Sequence, residues 1–210
     1  MPELAGNLPY QNMLSAALER LRDKDLAAAA TNAGMTCDLN SGEILFESFG
    51  EKGKMFLPEL RIEGDFTTWQ HMAVLQYLEL DEPPMPSGEW VSIRTLEESA
   101  ASRGASFDRK ISSLAANRLG RFSEKAITNA FESLGGEIIK YRNADLSAVF
   151  HFLPNYPYLF NFWFADEEFP ANAKALIDAR AGRALGLEAA GTMAELLVER
   201  ICSRCESGNA

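Results

Sequence analysis

Fifteen residues, Phe150 to Phe164, hold eight of the 21 aromatic side chains of this chain. Within them, strand alternation puts Tyr158, Phe160, Phe162 and Phe164 on one face and Leu159, Asn161 and Trp163 on the other. Both faces are heavily apolar. A strand of that kind is expected at the centre of a sheet, covered on both sides. The chain has 210 residues, ample for the core this demands.

The segments around it read as helices and further strands. Tyr10, Met13, Leu14, Ala17, Leu18 and Leu21 have helical spacing, with Asn7 and Pro9 at the start. Asp23 or Asp25 is expected to cap a short helix over 26–33, with Gly34 at its C-terminal end. Segments 37–39 and 44–49 flank Asn40-Ser41-Gly42, a hairpin signal. Gly50 and Gly53 mark another turn, and 54–62 reads as a third strand, at an edge or bulged because of Pro58. Thr67-Thr68-Trp69-Gln70 has capping-box form and opens a helix to Leu80 that is apolar on nearly every side, hence buried.

Pro83, Pro84 and Pro86 form the best boundary candidate. Beyond them, Val91 to Arg94 and a capping box at Thr95-Leu96-Glu97-Glu98 precede helices over 107–119 and 124–134, the second capped by Ser123. Strands are expected over 137–141, 146–153 and 158–164, and a last helix over 187–203. The order predicts an α+β fold, antiparallel sheet or sheets packed against several α-helices. It is expected as a single domain over 1–205, with a frayed tail over 206–210.

Charge limits the functions. There are 20 basic and 30 acidic side chains, a net charge of −10. A general nucleic-acid binder needs clustered Lys and Arg, so neither nucleic acid nor an anionic membrane surface is an expected partner. No run approaches the ~18 apolar residues of a membrane helix. Met1 to Asn12 lacks the basic start and apolar core of a signal peptide. Three cysteines do not suggest a secreted disulfide framework. A cytoplasmic protein is expected.

Several strings occur together in order: Leu75-Gln76-Tyr77-Leu78, Ser87-Gly88-Glu89-Trp90, Leu134-Gly135-Gly136, Asp145, Leu153-Pro154-Asn155-Tyr156-Pro157, Asp166-Glu167-Glu168-Phe169-Pro170 and Leu176-Ile177-Asp178. Together they resemble the DUF3786 family, an uncharacterised domain mostly of anaerobic bacteria and archaea, from about residue 10 to 200. The stretch from Leu153 to Pro170 is the specific part. The resemblance carries over no activity and no cofactor. Some relatives are fused to a four-cysteine iron–sulfur domain like those of corrinoid methyl-transfer proteins, which this chain lacks. It therefore implies only a context of anaerobic one-carbon or tetrapyrrole metabolism.

Three constellations could carry chemistry. The aromatic stretch is either core or the wall of a pocket for a flat ligand, with His151, Asn161 and Trp163 beside it. Asp166-Glu167-Glu168, with Asp145 expected opposite them across a hairpin and Asp178 further on, could bind a ligand or a hard cation, or share acid and base roles. Otherwise they are a solvated strand exit, with Arg142, Lys174 and Arg180 near enough to neutralise them. Cys202 and Cys205 form a C-x-x-C pair lacking a second pair, a weak metal candidate even with Cys37. At a helix C-terminus the dipole has the wrong sign for a redox pair, so an incidental or regulatory thiol pair is expected. His71 is expected as a core or cap histidine rather than half of a His71–His151 pair.

No nucleophile elbow, P-loop or dinucleotide fingerprint is present. The expected function is thus an accessory or binding protein for a small-molecule ligand or protein partner. The alternative is a hydrolase or lyase built on Asp145, Asp166, Glu167 and Glu168, with or without a metal.

Overall fold

The computed structural model describes residues 8–38 and 40–208. Asn7, Leu39, the side chain of Tyr10, and Asn209 and Ala210 lie outside the described residues. The fold is α+β, with two sheets among the described residues, of four and five strands. The chain divides into two compact units: residues 1–48, 52–83 and 153–155, and residues 49–51, 84–152 and 156–210. The long boundary falls in the Pro83-Pro84 step.

In the first unit, helix α1 (Leu8–Leu21) buries Ala17 and Leu21 and packs on the helix over 68–79. Helix α2 (Leu26–Asn32) is capped by Asp25, whose carboxylate accepts the Ala28 N–H at 3.0 Å. Strands β1 (Thr36–Asp38) and β2 (Glu43–Ser48) pair antiparallel, closed by Asp38 accepting the Asn40 N–H at 2.9 Å. Strand β3 (Glu51–Phe56) contains Gly53, so that glycine is not in a turn; the Phe46 ring occupies the place of a side chain over it. The long third strand expected over 54–62 is divided: β3 ends at Phe56, and β4 (Arg61–Glu63) pairs back on it antiparallel. Pro58 supplies no ladder donor, and the chain reverses there.

Helix α3 (Thr68–Glu79) has the expected capping box. Thr67 Oγ1 accepts the Gln70 N–H at 3.2 Å, and Gln70 Oε1 accepts the Thr67 N–H at 3.0 Å. Met72, Val74, Leu75, Tyr77 and Leu78 are buried, but Trp69 is 56% exposed, so the apolar circumference is not closed in the first turn.

The second unit is built on the aromatic strand. In chain order it contains β5 (Trp90–Ser92), α4 (Ala101–Leu119), α5 (Glu124–Ser133), β6 (Glu137–Ile139), β7 (Leu146–Leu153), β8 (Tyr156–Trp163), β9 (Asn172–Asp178) and α6 (Ala179–Ser207). The strand order β5-β9-β8-β7-β6 places β8 at the centre, buried along nearly its whole length, as its two apolar faces require. Phe131 of α5 meets Phe150 and Phe160 edge-on, at 5.3 and 5.7 Å between ring centroids. The Tyr158 hydroxyl donates to the Ala190 carbonyl of α6 at 2.9 Å. Phe49 belongs to this unit as well: its ring lies 5.7 Å from Phe152 and 5.9 Å from Tyr158.

Strand β9 was not expected. It pairs antiparallel with β8, setting Ala175 opposite Phe160 and Ala173 opposite Phe162. The expected capping box at Thr95 does not form: Thr95 Oγ1 donates to the Ser92 carbonyl, and a 3-10 turn follows at Glu98–Ala100 with no side-chain cap. Glu97 instead accepts the Leu187 N–H at 3.2 Å. That bond caps the second half of α6, because Gly186 (φ 77°, ψ 173°) interrupts the helix in a conformation reserved for glycine. The tail expected to fray is helical through Ser207, and Glu206 pairs with Arg118 and Arg121 at 2.7 and 3.0 Å.

Candidate functional site

Trp163 ends β8 half-exposed, and its ring N–H donates to the Asn143 carbonyl at 2.9 Å. Two open recesses of the second unit meet at this indole. One, of about 810 Å³, is lined by Asn143, Asp145, Trp163, Phe164, Asp166 and Phe169, among others. The other, of about 790 Å³, is lined by Ser92, Arg94, Asp108, Arg109, Trp163 and Lys174, among others. Ser112 and Asn172 also border both, joined by a 2.7 Å hydrogen bond from Ser112 Oγ to Asn172 Oδ1.

The carboxylates of the first recess are held by the backbone. Asp145 lies opposite the end of β8, as the hairpin predicts: its N–H donates to the Phe162 carbonyl at 3.1 Å, and its Oδ2 accepts the Phe164 N–H at 2.8 Å. Asp166 closes a tight loop. Its Oδ1 accepts the N–H groups of Glu168 and Phe169 at 2.9 and 2.7 Å, and its own N–H donates to the Phe169 carbonyl at 3.0 Å. The Phe169 and Glu168 N–H groups hold the Asp166 carboxyl below the ordinary aspartate range. The acidic run therefore has a local cause: Asp166 is a turn former, and Glu167 and Glu168 are exposed beside it, lining neither recess.

The other expected ligand residues do not join them. Asn161 is 3% exposed and accepts the Ser147 hydroxyl at 2.7 Å, so it is a satisfied core group. His151 is exposed on β7 and lines neither recess. Arg142 lies 5.1 Å from the Tyr141 ring, and Lys174 lines the second recess. Asp178 is no ligand candidate: it is fully buried and accepts five hydrogen bonds. Asp108 lies inside α4 and accepts the Ser92 hydroxyl. His71 has a ring nitrogen 2.8 Å from the Leu60 carbonyl, and burial lowers its pKa.

Cys202 and Cys205 are buried thiols of α6, and burial pushes both up to about 11. Among the described residues no group of three or more His, Cys, Asp or Glu could hold a metal ion. At pH 8 a pKa of 11 leaves about one thiol in a thousand ionised. In the native protein, a thiol-disulfide reagent is therefore expected to label Cys37 first. Cys202 and Cys205 should react at least about 100-fold more slowly than they do in urea. Three equal fast phases would refute their burial.

Sequence reasoning missed Arg94, Arg109, Ser112 and Asn172. They come from a turn, one helix and one strand, and only the β8–β9 pairing and α4 bring them to Trp163.

The DUF3786 family model, a domain of unknown function, matches residues 25–200, and the chain belongs to that family. No similar curated protein and no similar solved structure was found. Among the described residues, no helix is long and apolar enough to cross a membrane.

Proposed function

We propose that this is a non-catalytic accessory or binding protein that takes a flat small-molecule ligand against Trp163. The observation that carries the reading is that Trp163, alone among the aromatics of 150–164, borders both recesses. Its ring N–H is already committed to Asn143, so stacking is what the indole can still offer. The carboxylates of the first recess serve its loop and strand end, which favours binding over acid–base chemistry. The ligand class is a small planar molecule rather than nucleic acid or a membrane surface, in keeping with the net charge of −10. Three free cysteines agree with a reducing, cytoplasmic compartment.

The family context makes haem and cobalamin the first probes. Titration at micromolar concentration is expected to shift the ligand absorption band and raise the melting temperature. Trp163→Ala should weaken binding at least tenfold, from loss of a stacking contact of about 1.5 kcal/mol, while Trp163→Phe retains most of it. Absence of any shift with either probe, or equal binding by Trp163→Ala, would sink the reading.

A further inference from the structure

Three basic side chains meet around the second recess. Arg94, Arg109 and Lys174 line it from three elements: the turn after β5, helix α4 and strand β9. Among the described residues none of the three has an ion-pair partner. Elsewhere in the same unit the basic side chains of α4 are paired: Arg103 with Glu188, Lys110 with Glu195, and Arg118 with Glu206. In a chain with ten more acids than bases, three cations to one acid around a concavity reverse the overall balance.

Asp108 is the one acid in that lining, so three cations face a single carboxylate. One of its oxygens accepts the Ser92 hydroxyl, and the other is buried. Ser113 adds a hydroxyl to the same wall. Trp163 forms the boundary with the first recess, where Asp145 and Asp166 make the environment repulsive to anions. The indole thus divides a cationic concavity from an acidic one.

We infer that the recess at Arg94, Arg109 and Lys174 receives an anionic group, a phosphate or a carboxylate, carried by the planar ligand that stacks on Trp163. This rests on the flat-ligand reading above and adds the chemical class of its substituent. Guanidinium and ammonium groups give charge-assisted hydrogen bonds to such oxygens, stronger than those to a neutral hydroxyl. The acidic recess on the other side of Trp163 fixes which way the ligand points, because an anion there faces two carboxylates.

The test is calorimetric titration of the full chain, in low-salt buffer free of phosphate, with 1-naphthol, 1-naphthoate and 1-naphthyl phosphate. At least one of the two anions is expected to bind tenfold or more tightly than naphthol, the advantage shrinking as salt is raised. Whichever anion is favoured identifies the substituent. In the double variant Arg109→Gln with Lys174→Gln, both exposed positions, the advantage should fall to near one, anion binding losing far more than naphthol binding. Equal binding of all three compounds, or an advantage that survives in the double variant, overturns the anionic inference and leaves the flat-ligand reading standing. Failure of all three to bind, or binding indifferent to Trp163→Ala, overturns both.

Discussion

Asp178→Ala is expected to lower unfolding stability by about 4 kcal/mol, a large share of the roughly 5–15 kcal/mol of an ordinary domain. The fully buried carboxylate joins three segments. Oδ2 accepts the Ser87 N–H at 2.7 Å, the Ser87 hydroxyl at 3.1 Å and the Gly88 N–H at 2.7 Å. Oδ1 accepts the Arg180 and Ala181 N–H groups at 3.0 and 3.2 Å, capping α6. Five donors surround the anion at a helix N-terminus, where the dipole favours it. Removing it strips five donors of their acceptor, the Ala181 N–H in a buried place, the costly direction of hydrogen-bond asymmetry. Asp178→Asn keeps one acceptor but turns an amide N–H₂ toward donors, so it should still cost about 2 kcal/mol. Ser87→Ala removes one weak contact, at about 1 kcal/mol or less. Urea denaturation followed by circular dichroism ranks the three. An Asn variant as stable as the parent would refute the buried five-donor site.

Gly104→Ala is expected to destabilise by about 3 kcal/mol through overpacking. A Cβ on Gly104 would lie 2.3 Å from the Arg94 Cα and 3.0 Å from its nitrogen. Both partners are backbone, so no side chain can swing away. In a free helix the same change stabilises by about 1 kcal/mol, because alanine orders more readily than glycine. The sign of the measured change therefore decides whether α4 lies against the turn after β5. That contact also sets where Arg94 stands, so the variant should lose discrimination between naphthyl phosphate and naphthol even at temperatures where it stays folded. Increased stability would show that the close approach does not exist.

Where a residue's own neighbours decide its conformation, the sequence was readable. Thr67 and Gln70 satisfy each other's backbone donors, and Asp25 caps α2 alone, so both helix starts follow from local chemistry. Strand β7 runs from Leu146 to Leu153 as its apolar run predicts. Strand β9 escaped notice because its inward residues include Ala173 and Ala175, too small to mark a strand. Their size is nonetheless dictated: each lies across from a phenylalanine of β8, and two large rings could not share that space. The density of β8 thus called for a small-residue neighbour, a signal that depends on pairing rather than periodicity.

The candidate site was less legible for a related reason. Trp163 stood out as part of the aromatic run, and Asp145 and Asp166 were correctly placed near each other by the hairpin. Asn161 faces the opposite side from Phe160, and only the Ser147 hydroxyl within hydrogen-bond reach shows that its polarity is spent in the core. Arg94, Arg109 and Lys174 are unremarkable surface cations one at a time. Their meaning depends on their meeting around one concavity, and that is a property of the folded arrangement.

The division of the chain has a consequence for its manufacture. The first unit includes residues 153–155, and Asn155 lies beside the buried Tyr77 of α3. Synthesis runs from the N-terminus, so α3 and its sheet leave the ribosome well before the residues that complete them. During that interval the largely apolar surface of α3 waits for its last partners, a species of the kind that holding chaperones protect. Moving residues 153–155 ahead of residue 84 by circular permutation would abolish the wait without altering a single side chain.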